Sequence, residues 1–355
     1  MDPNELRRTD FNLTDDQFEV QRLVADFLEK HAPLSRARAA EPTGFDRELW
    51  ESIVELGVSD LALEAVQGGE GSDASGIVEM SLVAEELGKV LAPVPLVEHL
   101  VALRAIARSG DPAQAQLLEE AATGARILGV SHQVLDRRRL VSTASVASDI
   151  VGFDGHGLII VSSGAPRAHV PNQASLPAAW VDPSAEVVTR LQASDARGIF
   201  AQACAELKVL AAARLVGLTE AALSLAVEFV KTRSTMGILI GVLQGIAFPL
   251  ADVHIGIVGV RNLTRRAAWF LDHEPGAEPW LPESALVIAG EVAVKGTTIS
   301  QHAQGGLGFT VEADASLYFL RAKGWSLAAG NVGEDLRAIA EKRIAAAQHQ
   351  LIAAH

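Results

Sequence analysis

Two short clusters in the C-terminal half of the sequence, one with an arginine and a glycine and one rich in glycine, suit the binding of a phosphate group. Residues 231–237 hold Arg233 among hydroxyl side chains and end in a glycine, and Gln244 follows them. Residues 301–310 contain glycine at three of four consecutive positions, which leaves backbone amides open to an anion. Alone, the first cluster is equally typical of an ordinary helix–turn–helix, and the second is more often only a turn between helices.

The elements that must position these clusters are predicted to be mainly helical. Apolar residues recur at helical spacing in residues 12–32, 49–56, 76–91, 99–123, 201–232, 242–271, 282–303 and 334–354. The region after residue 124 is rich in Val, Ile, Ser, Thr, Gly and Pro, and residues 157–161 are typical of a strand. The sequence therefore predicts an N-terminal helical domain (1–124), a small middle β domain (125–197) and a C-terminal helical bundle (198–355).

The composition argues against several classes of partner. The 44 acidic and 30 basic residues give a formal charge of −14, and the densest basic run, residues 137–139, is three long. A protein that tracks nucleic-acid phosphates needs a basic stripe, so no nucleic-acid partner is expected. No run approaches the roughly 18 apolar residues of a membrane helix, and the N-terminus lacks a signal core, so no membrane partner is expected. Cys204 is the single cysteine and reads as core packing, which favours a cytoplasmic protein without a disulfide.

Four motifs, taken in order along the chain, resemble those of the acyl-CoA dehydrogenase family. Residues 67–71 (Gln-Gly-Gly-Glu-Gly) and 85–88 (Glu-Glu-Leu-Gly) match two N-terminal patterns of that family. Residues 233–237 (Arg-Ser-Thr-Met-Gly) with Gln244 match its Arg-x-(Gln/Thr)-Phe-Gly motif, and residues 302–308 match its Gln-x-x-Gly-Gly-x-Gly motif. The four together are far more specific than any one. The resemblance covers nearly the whole chain and is thin between residues 125 and 200.

The resemblance implies an FAD cofactor, which in this family lies between two subunits. The flavin ring of this FAD sits mostly in the neighbouring subunit. The resemblance assigns its adenosine-pyrophosphate end to residues of this chain: Arg233, Thr235, Met236, Gln244, His302, Gly305 and Gly306. In this assignment Arg233 pairs with a pyrophosphate oxygen, the two glycines offer backbone amides, and Met236 packs near the adenine. His302 stands where the family usually has glutamine. No metal site is predicted.

The sequence departs from the family where the flavin ring and the catalytic base belong. The middle domain lacks the Thr-Glu-Pro-type segment, because residues 128–134 read Leu-Gly-Val-Ser-His-Gln-Val, and it lacks Trp-x-Thr, because Trp180 precedes Val-Asp. In the family, the catalytic carboxylate usually precedes a Gly-Thr pair near the C-terminus. The corresponding residues of this chain, 327–331, contain no acid. Some members carry the base 26 residues before the motif arginine, which is Leu207 here.

Glu206 is adjacent to that second base position and is the candidate base in this chain. One residue on a helix turns a side chain by about 100°, so Glu206 is expected to point elsewhere than a base at position 207 would. Glu334 and Asp335 read as carboxylates that stabilise the N-terminus of the last helix.

All these departures remove features of the flavin-ring pocket or the catalytic base, whereas the residues for the adenosine end of FAD are kept. The hypothesis is an acyl-CoA dehydrogenase subunit that acts with a homologous, complete partner in an α2β2 hetero-oligomer, as in bacteria that degrade steroid side chains. An acyl-CoA is then the substrate, and electron-transfer flavoprotein is a candidate redox partner. Two alternatives stay open: a homo-oligomeric dehydrogenase or oxidase with a displaced base such as Glu206, and a non-catalytic interaction subunit without FAD.

Overall fold

The computed structural model describes residues 7–10, 12–67 and 76–353, so nearly all of the glycine-rich motif at 67–71 lies outside the described residues. The predicted mainly helical fold class is confirmed. The chain divides into two compact units, each built from separate stretches of sequence. We call them the bundle unit (Met1–Asp26, Ser81–Leu91 and Lys208–His355) and the sheet unit (Phe27–Met80 and Ala92–Leu207). The three-domain division drawn from the sequence stays a prediction.

The helices that precede the first strand, within the described residues, are α1 (Asp15–His31), α2 (Leu34–Ala39), α3 (Arg47–Val54), α4 (Val58–Gln67), α5 (Ile77–Lys89), α6 (Leu96–Ser109) and α7 (Ala115–Ala122). α3 begins where the Asp46 side chain accepts a hydrogen bond from the Leu49 backbone N–H at 3.0 Å, a typical N-cap. α6 ends at Gly110, whose φ of +67° is a conformation that glycine tolerates and other residues avoid. The prediction of one helix over residues 99–123 is therefore wrong at this glycine.

Two small sheets follow in the sheet unit. Their strands are β1 (Leu128–Val130), β2 (Arg139–Val141), β3 (Asp149–Phe153), β4 (Leu158–Ser162), β5 (Ala179–Val181) and β6 (Val187–Arg190). The larger sheet has the order β1-β3-β4-β6, with β1 parallel to β3 and the other neighbours antiparallel. β2 and β5 pair separately and antiparallel. β3 is buried along its whole length, as the apolar run of its sequence requires, and the predicted strand at 157–161 is confirmed as β4.

The remaining elements are α8 (Ala196–Thr232), β7 (Ser234–Thr235), β8 (Ile238–Leu239), α9 (Gln244–His273), α10 (Leu281–Ala303), α11 (Asp314–Trp325) and α12 (Val332–Ala353). The long helices predicted in this region are confirmed. α11, like α2 and α4, was not predicted because these helices are short and their apolar residues give a weak periodic signal.

Two glycines set the distance between α5 and α8 in the bundle unit. A Cβ atom on Gly88 would overlap the Arg214 carbonyl oxygen, and a Cβ on Gly217 would overlap the Glu85 carbonyl oxygen. The Glu-Glu-Leu-Gly motif of α5 therefore ends in a glycine because two helix backbones meet there without room for a side chain.

Two helices are long and apolar enough to cross a membrane by length and composition, although no membrane-spanning segment is expected from the sequence. These are α8 and α9 among the described residues, with mean hydropathies of 1.6 and 1.3 in their most apolar windows. The window of α8 is 78% buried, as in the core helix of a soluble protein, whereas that of α9 is only 22% buried. Most residues of this stretch of α9 thus lie outside the core of the bundle unit.

Candidate functional site

A tight hairpin carries the first predicted cluster at the end of α8. The Arg233 backbone N–H donates to the Phe229 carbonyl at 3.0 Å, and the Ile240 N–H donates to the Arg233 carbonyl at 2.9 Å, which closes the hairpin. β7 and β8 are joined by Met236 (φ +50°) and Gly237 (φ +81°). Two successive positive φ angles are the signature of a type I′ turn, which suits glycine and strains methionine. Met236 sits at the tip with its side chain 99% exposed.

The second cluster forms a 3₁₀ turn, Gly305–Phe309, directly after α10. Gly305 has a φ of +62°, and a Cβ atom on either Gly305 or Gly306 would meet nothing within 4 Å. These two glycines therefore present open backbone to the surroundings. Gly308 has a different role, because a Cβ there would overlap the Gln301 carbonyl oxygen. The motif combines two open glycines with one that packing requires.

The hairpin and the glycine turn form the two walls of one cleft in the bundle unit. Its volume is about 410 Å³, and its lining is Phe229, Arg233, Ser234, Thr235, Ile240, Ala303, Gln304, Gly305, Gly306 and Leu307. Four of the seven predicted cofactor residues thus come together here: Arg233, Thr235, Gly305 and Gly306. Met236 at the hairpin tip, Gln244 at the start of α9 and His302 in the last turn of α10 are exposed outside this lining.

Sequence reasoning missed part of the lining. Phe229 lies in the last turns of α8, four residues before Arg233, and this helical spacing is a signal that could have found it. Gln304 lies between the predicted His302 and Gly305, and Ser234 lies inside the arginine motif itself. These polar residues add a hydroxyl and an amide to the guanidinium.

The charge of the cleft suits an anion. Arg233 is the cationic residue of the lining, and no acidic side chain belongs to the lining among the described residues. Arg233 is also in no ion pair with a described residue. A guanidinium without a carboxylate, beside glycine amides that a ligand can approach, matches the donor set that a pyrophosphate group requires. The residues present therefore fit the adenosine-pyrophosphate end of FAD.

Glu206, the candidate base, is held by two arginines inside the sheet unit. Its carboxylate accepts from Arg104 Nε at 3.2 Å and from Arg108 Nη2 at 2.5 Å, and its side chain is fully buried. Burial alone would raise the pKa of Glu206, but the charges of Arg108 and Arg104 outweigh it and lower the pKa. A carboxylate with a lowered pKa and both oxygens engaged is poorly suited to remove a proton from a substrate.

Two other buried carboxylates, Asp335 and Glu283, are also paired. Asp335 and Glu283 accept from Lys208 Nζ at 2.6 and 3.0 Å, and Glu283 also accepts from Lys342 Nζ at 2.8 Å. Asp335 lies in the first turn of α12, as predicted, but it is 4% exposed and ties that helix to α8. Burial lowers the pKa of Lys208 on its own, yet the charge of Glu283 and its bond to Asp335 raise it, so the amine stays charged.

The paired glutamates of the Glu-Glu-Leu-Gly motif belong to a second ion-pair network in the bundle unit. Glu85 accepts from Arg261 Nε at 2.9 Å, and Glu86 accepts from Lys89 Nζ at 2.9 Å. Burial raises the pKa of Glu85, and the charge of Arg261 opposes that rise. Glu220 joins both cations, at 2.8 Å from Arg261 and 3.3 Å from Lys89. This motif therefore serves the packing of α5.

Comparison with known proteins agrees with the fold. The family "Acyl-CoA dehydrogenase, N-terminal domain" matches residues 14–125, and "Acyl-CoA dehydrogenase, C-terminal domain" matches residues 199–344. The acyl-CoA dehydrogenase IpdE2 of Mycobacterium tuberculosis is 28% identical over 313 residues, which are 86% of this chain and 90% of that protein. Benzylmalonyl-CoA dehydrogenase of Aromatoleum aromaticum is 26% identical over 379 residues, 94% of this chain and 99% of that protein.

Solved structures show the same architecture over almost the entire length. A variant of the Tcur3481–Tcur3483 steroid ACAD superposes with a TM-score of 0.81 at 25% identity, covering 94% of this chain and 99% of that one. A chain of the ChsE4–ChsE5 complex from Mycobacterium tuberculosis gives a TM-score of 0.81 at 24% identity with the same coverage. This chain belongs to the acyl-CoA dehydrogenase family, whose members are FAD-dependent flavoprotein oxidoreductases.

Proposed function

We propose that this chain is one subunit of an FAD-dependent acyl-CoA dehydrogenase and that it contributes the adenosine-pyrophosphate side of the cofactor site to a partner subunit. One observation carries the proposal. The cleft at Arg233 has the donors for a pyrophosphate, whereas the two positions where the family places its base hold no acid. The partner therefore supplies the flavin-ring pocket and the catalytic carboxylate.

The reaction proposed for the complete enzyme is α,β-desaturation of an acyl-CoA thioester. When bound, FAD supplies the acceptor for the β-hydrogen, which leaves as hydride while a carboxylate removes the α-proton. Within this chain Arg233 balances pyrophosphate charge, and Gly305 and Gly306 let the ligand approach the backbone. Met236, Gln244 and His302 lie close to this cleft in sequence, and we assign them contacts with the part of FAD that extends beyond it.

The partner is proposed to be a homologous acyl-CoA dehydrogenase subunit in an α2β2 assembly that is active only as the heteromer. The likeness to two solved complexes, each described by two chain names, supports a pairing of unequal subunits. The description of one of them as a steroid ACAD supports a steroid side chain as the acyl group. Electron-transfer flavoprotein as the electron acceptor and the cytoplasm as the location complete the proposal.

The flavin content of the chain alone and in complex tests this proposal. Expressed alone, the chain is expected to be colourless and inactive; purified with its partner from the source organism, it is expected to carry FAD and oxidise an acyl-CoA. Arg233→Ala is expected to lower the bound FAD of the complex at least tenfold, because the pyrophosphate loses its cation. One FAD per protomer in the isolated chain, together with acyl-CoA oxidation, would contradict the proposal.

The two other functions make different predictions. A homo-oligomeric enzyme with Glu206 as base requires that Glu206→Gln abolish turnover and leave the flavin absorbance intact, and the buried ion pairs of Glu206 argue against this. A non-catalytic subunit without FAD requires that Arg233→Ala leave the flavin content of the complex unchanged. The open cleft around Arg233 argues against that function.

A further inference from the structure

Met236 combines backbone strain with full exposure of its side chain. Its φ of +50° lies in the left-handed region, which strains a residue that carries a Cβ atom. Its side chain is 99% exposed, so burial of the apolar thioether does not offset this strain. Among the described residues, the other non-glycine residues with a positive φ are Leu91 and Ser175, which are 1% and 9% exposed and are held by packing. A strained residue without packing of its own suggests a role outside the fold.

The hairpin fixes Met236 at the edge of the cofactor cleft. β7 pairs with β8 through Ser234 opposite Leu239 and Thr235 opposite Ile238, which leaves the next two residues as the turn. Thr235, directly before Met236, lines the cleft. Because the paired strands hold the backbone on both sides of the turn, the thioether is presented to solvent beside the cleft.

Met236 also carries the most accessible sulfur atom of the described residues. The sequence contains three methionines, and the structure describes Met80 and Met236. Met80 on α5 is 1% exposed, so the two thioethers differ almost as much as two side chains can. Cys204 is half-buried, with its sulfur 3.7 Å from the His132 carbonyl oxygen. Oxidation of methionine by peroxides follows the exposure of the sulfur, so Met236 is the sulfur that a peroxide reaches first.

We propose that Met236 is a redox modification site, at which a hydroperoxide converts the thioether to a sulfoxide before the chain has bound FAD, and that the sulfoxide weakens the retention of FAD. With hydrogen peroxide, the sulfur attacks one peroxide oxygen, an S–O bond forms and the O–O bond breaks. The sulfur is oxidised by two electrons and the peroxide is reduced by two. The proton of the transferred oxygen passes through solvent to the departing hydroxide, so the products are sulfoxide and water.

The effect on FAD rests on the proposed function, which assigns Met236 a contact with the cofactor. A thioether packs favourably against an aromatic ring, and oxidation removes this sulfur–aromatic contact. The sulfoxide oxygen is a polar acceptor, and its burial against an apolar ring surface without a donor is unfavourable. Because methionine sulfoxide reductases reverse the oxidation, Met236 acts as a reversible control of cofactor retention.

Peptide mass spectrometry of the chain produced alone tests the modification site. The folded chain is treated with dilute hydrogen peroxide, the reaction is stopped with catalase, and the sulfoxide fractions at Met236 and Met80 are followed over time. We expect Met236 to be oxidised faster than Met80 by on the order of tenfold or more, and the difference to vanish in concentrated urea, where both sulfurs meet solvent. Equal rates in the folded chain, or a slower rate at Met236, overturn the proposal.

The dissociation rate of FAD tests the consequence of the modification. The oxidised chain, freed of peroxide, is combined with the separately produced partner and FAD, and flavin fluorescence follows the release of the cofactor. We expect release about threefold to tenfold faster than from a complex made with the untreated chain, as the loss of a sulfur–aromatic contact predicts. Methionine sulfoxide reductases A and B should restore the slower rate. An unchanged rate after oxidation overturns the coupling to FAD.

Met236→Leu is the control that separates this sulfur from the others. Leucine keeps an apolar side chain of similar size and cannot form a sulfoxide, so peroxide treatment should leave the FAD release rate of this variant where it was before treatment. An equal acceleration in Met236→Leu would assign the effect to another group, such as Cys204, and overturn the proposal.

Arg233→Ala distinguishes this inference from the proposed function. A complex of Arg233→Ala that keeps its FAD contradicts the proposed function, whereas the oxidation of Met236 in the chain produced alone does not depend on that result. Slow oxidation of Met236, together with loss of FAD from the Arg233→Ala complex, contradicts the modification site alone. In the wild-type complex loaded with FAD, Met236 should be oxidised more slowly than in the chain alone, and equal rates would overturn its coupling to the cofactor.

Discussion

Arg104 and Glu206 form an ion pair in the interior of the sheet unit, with side chains that are 4% and 0% exposed. Arg104 on α6 donates from Nε at 3.2 Å and from Nη2 at 3.3 Å, so both carboxylate oxygens are engaged. Its Nη1 donates to the Ala62 carbonyl at 3.1 Å, which ties α4 to the same pair. The carboxylate adjacent to the second family base position is thus committed to holding helices together.

Glu206→Gln is therefore expected to act on stability. Removing the charge leaves Arg104 and Arg108 without their buried counter-ion, and the free energy of unfolding should fall by about 3 kcal/mol. Urea unfolding followed by circular dichroism measures this loss. The control is Glu228→Gln, which removes an exposed partner of Lys231 and should change little. Unchanged stability with abolished turnover would contradict the structural role and support Glu206 as the base.

The fully buried His99 predicts a loss of stability on mild acidification. Its Nδ1 accepts from the Leu128 backbone N–H at 3.1 Å, and its Nε2 lies 3.2 Å from the Ala121 carbonyl, so the ring is held neutral. Burial lowers the pKa of His99 from its ordinary 6.5 to about 4. Between these values the unfolded chain binds the proton and the folded chain does not, so stability falls as the pH drops through this window.

The loss attributable to His99 is expected to reach about 3 kcal/mol at pH 4, given 1.36 kcal/mol per pKa unit. Urea unfolding at pH 7, 5.5 and 4 provides the measurement. His99→Gln keeps a donor and an acceptor without titrating, so its stability should depend less on pH across the same range. Identical pH profiles for the two proteins would show that His99 does not titrate as the geometry requires.

Because the backbones of α5 and α8 are in close contact, adding even one methyl group between them is expected to destabilise the protein. Gly217→Ala places a methyl group against the Glu85 carbonyl, which belongs to a helix backbone and cannot move away alone. We expect a destabilisation of about 2–3 kcal/mol, measured as a lower urea midpoint. Gly259→Ala on α9 is the matched control, because a Cβ there meets nothing within 4 Å. It should stabilise the isolated chain by up to about 1 kcal/mol, so a similar loss in both variants would argue against close helix contact.

The strained hairpin tip predicts opposite effects on stability and on cofactor binding. Asparagine tolerates the left-handed conformation of position 236 better than methionine, so Met236→Asn should stabilise the isolated chain by about 1 kcal/mol. The same change removes the fully exposed side chain that we assign to FAD, so the cofactor of the complex should dissociate faster. Thermal unfolding and flavin fluorescence measure the two effects. Faster dissociation without a gain in stability would show that the turn is not strained.

The cleft could be predicted only in part from the sequence. The resemblance named Arg233, Thr235, Gly305 and Gly306, and these four line one cleft although the two motifs follow different helices. Periodicity could not have joined them, because it reports which face of a helix is apolar and not which helix ends meet. The resemblance also extended the prediction to Gln244 and His302, which are exposed outside the cleft, and their roles stay predictions.

The buried ion pairs were harder to foresee. Glu206 and Arg104 are 102 residues apart, and no local pattern links residues at that separation. A signal was nevertheless present in α6, where Arg104 interrupts a run of apolar residues in a helix that is buried almost throughout. A buried arginine requires an acceptor, so its presence indicates that a carboxylate must meet it. Gly110 likewise indicates from the sequence that residues 99–123 form two helices and not one.

The unequal burial of α8 and α9 has a consequence for how much of this protein a cell can keep. Under the proposed pairing, a chain released from the ribosome before its partner is available exposes an apolar helical stripe, and chaperones and proteases recognise such surfaces. The proposed pairing therefore predicts that the steady-state amount of this chain follows the supply of the partner.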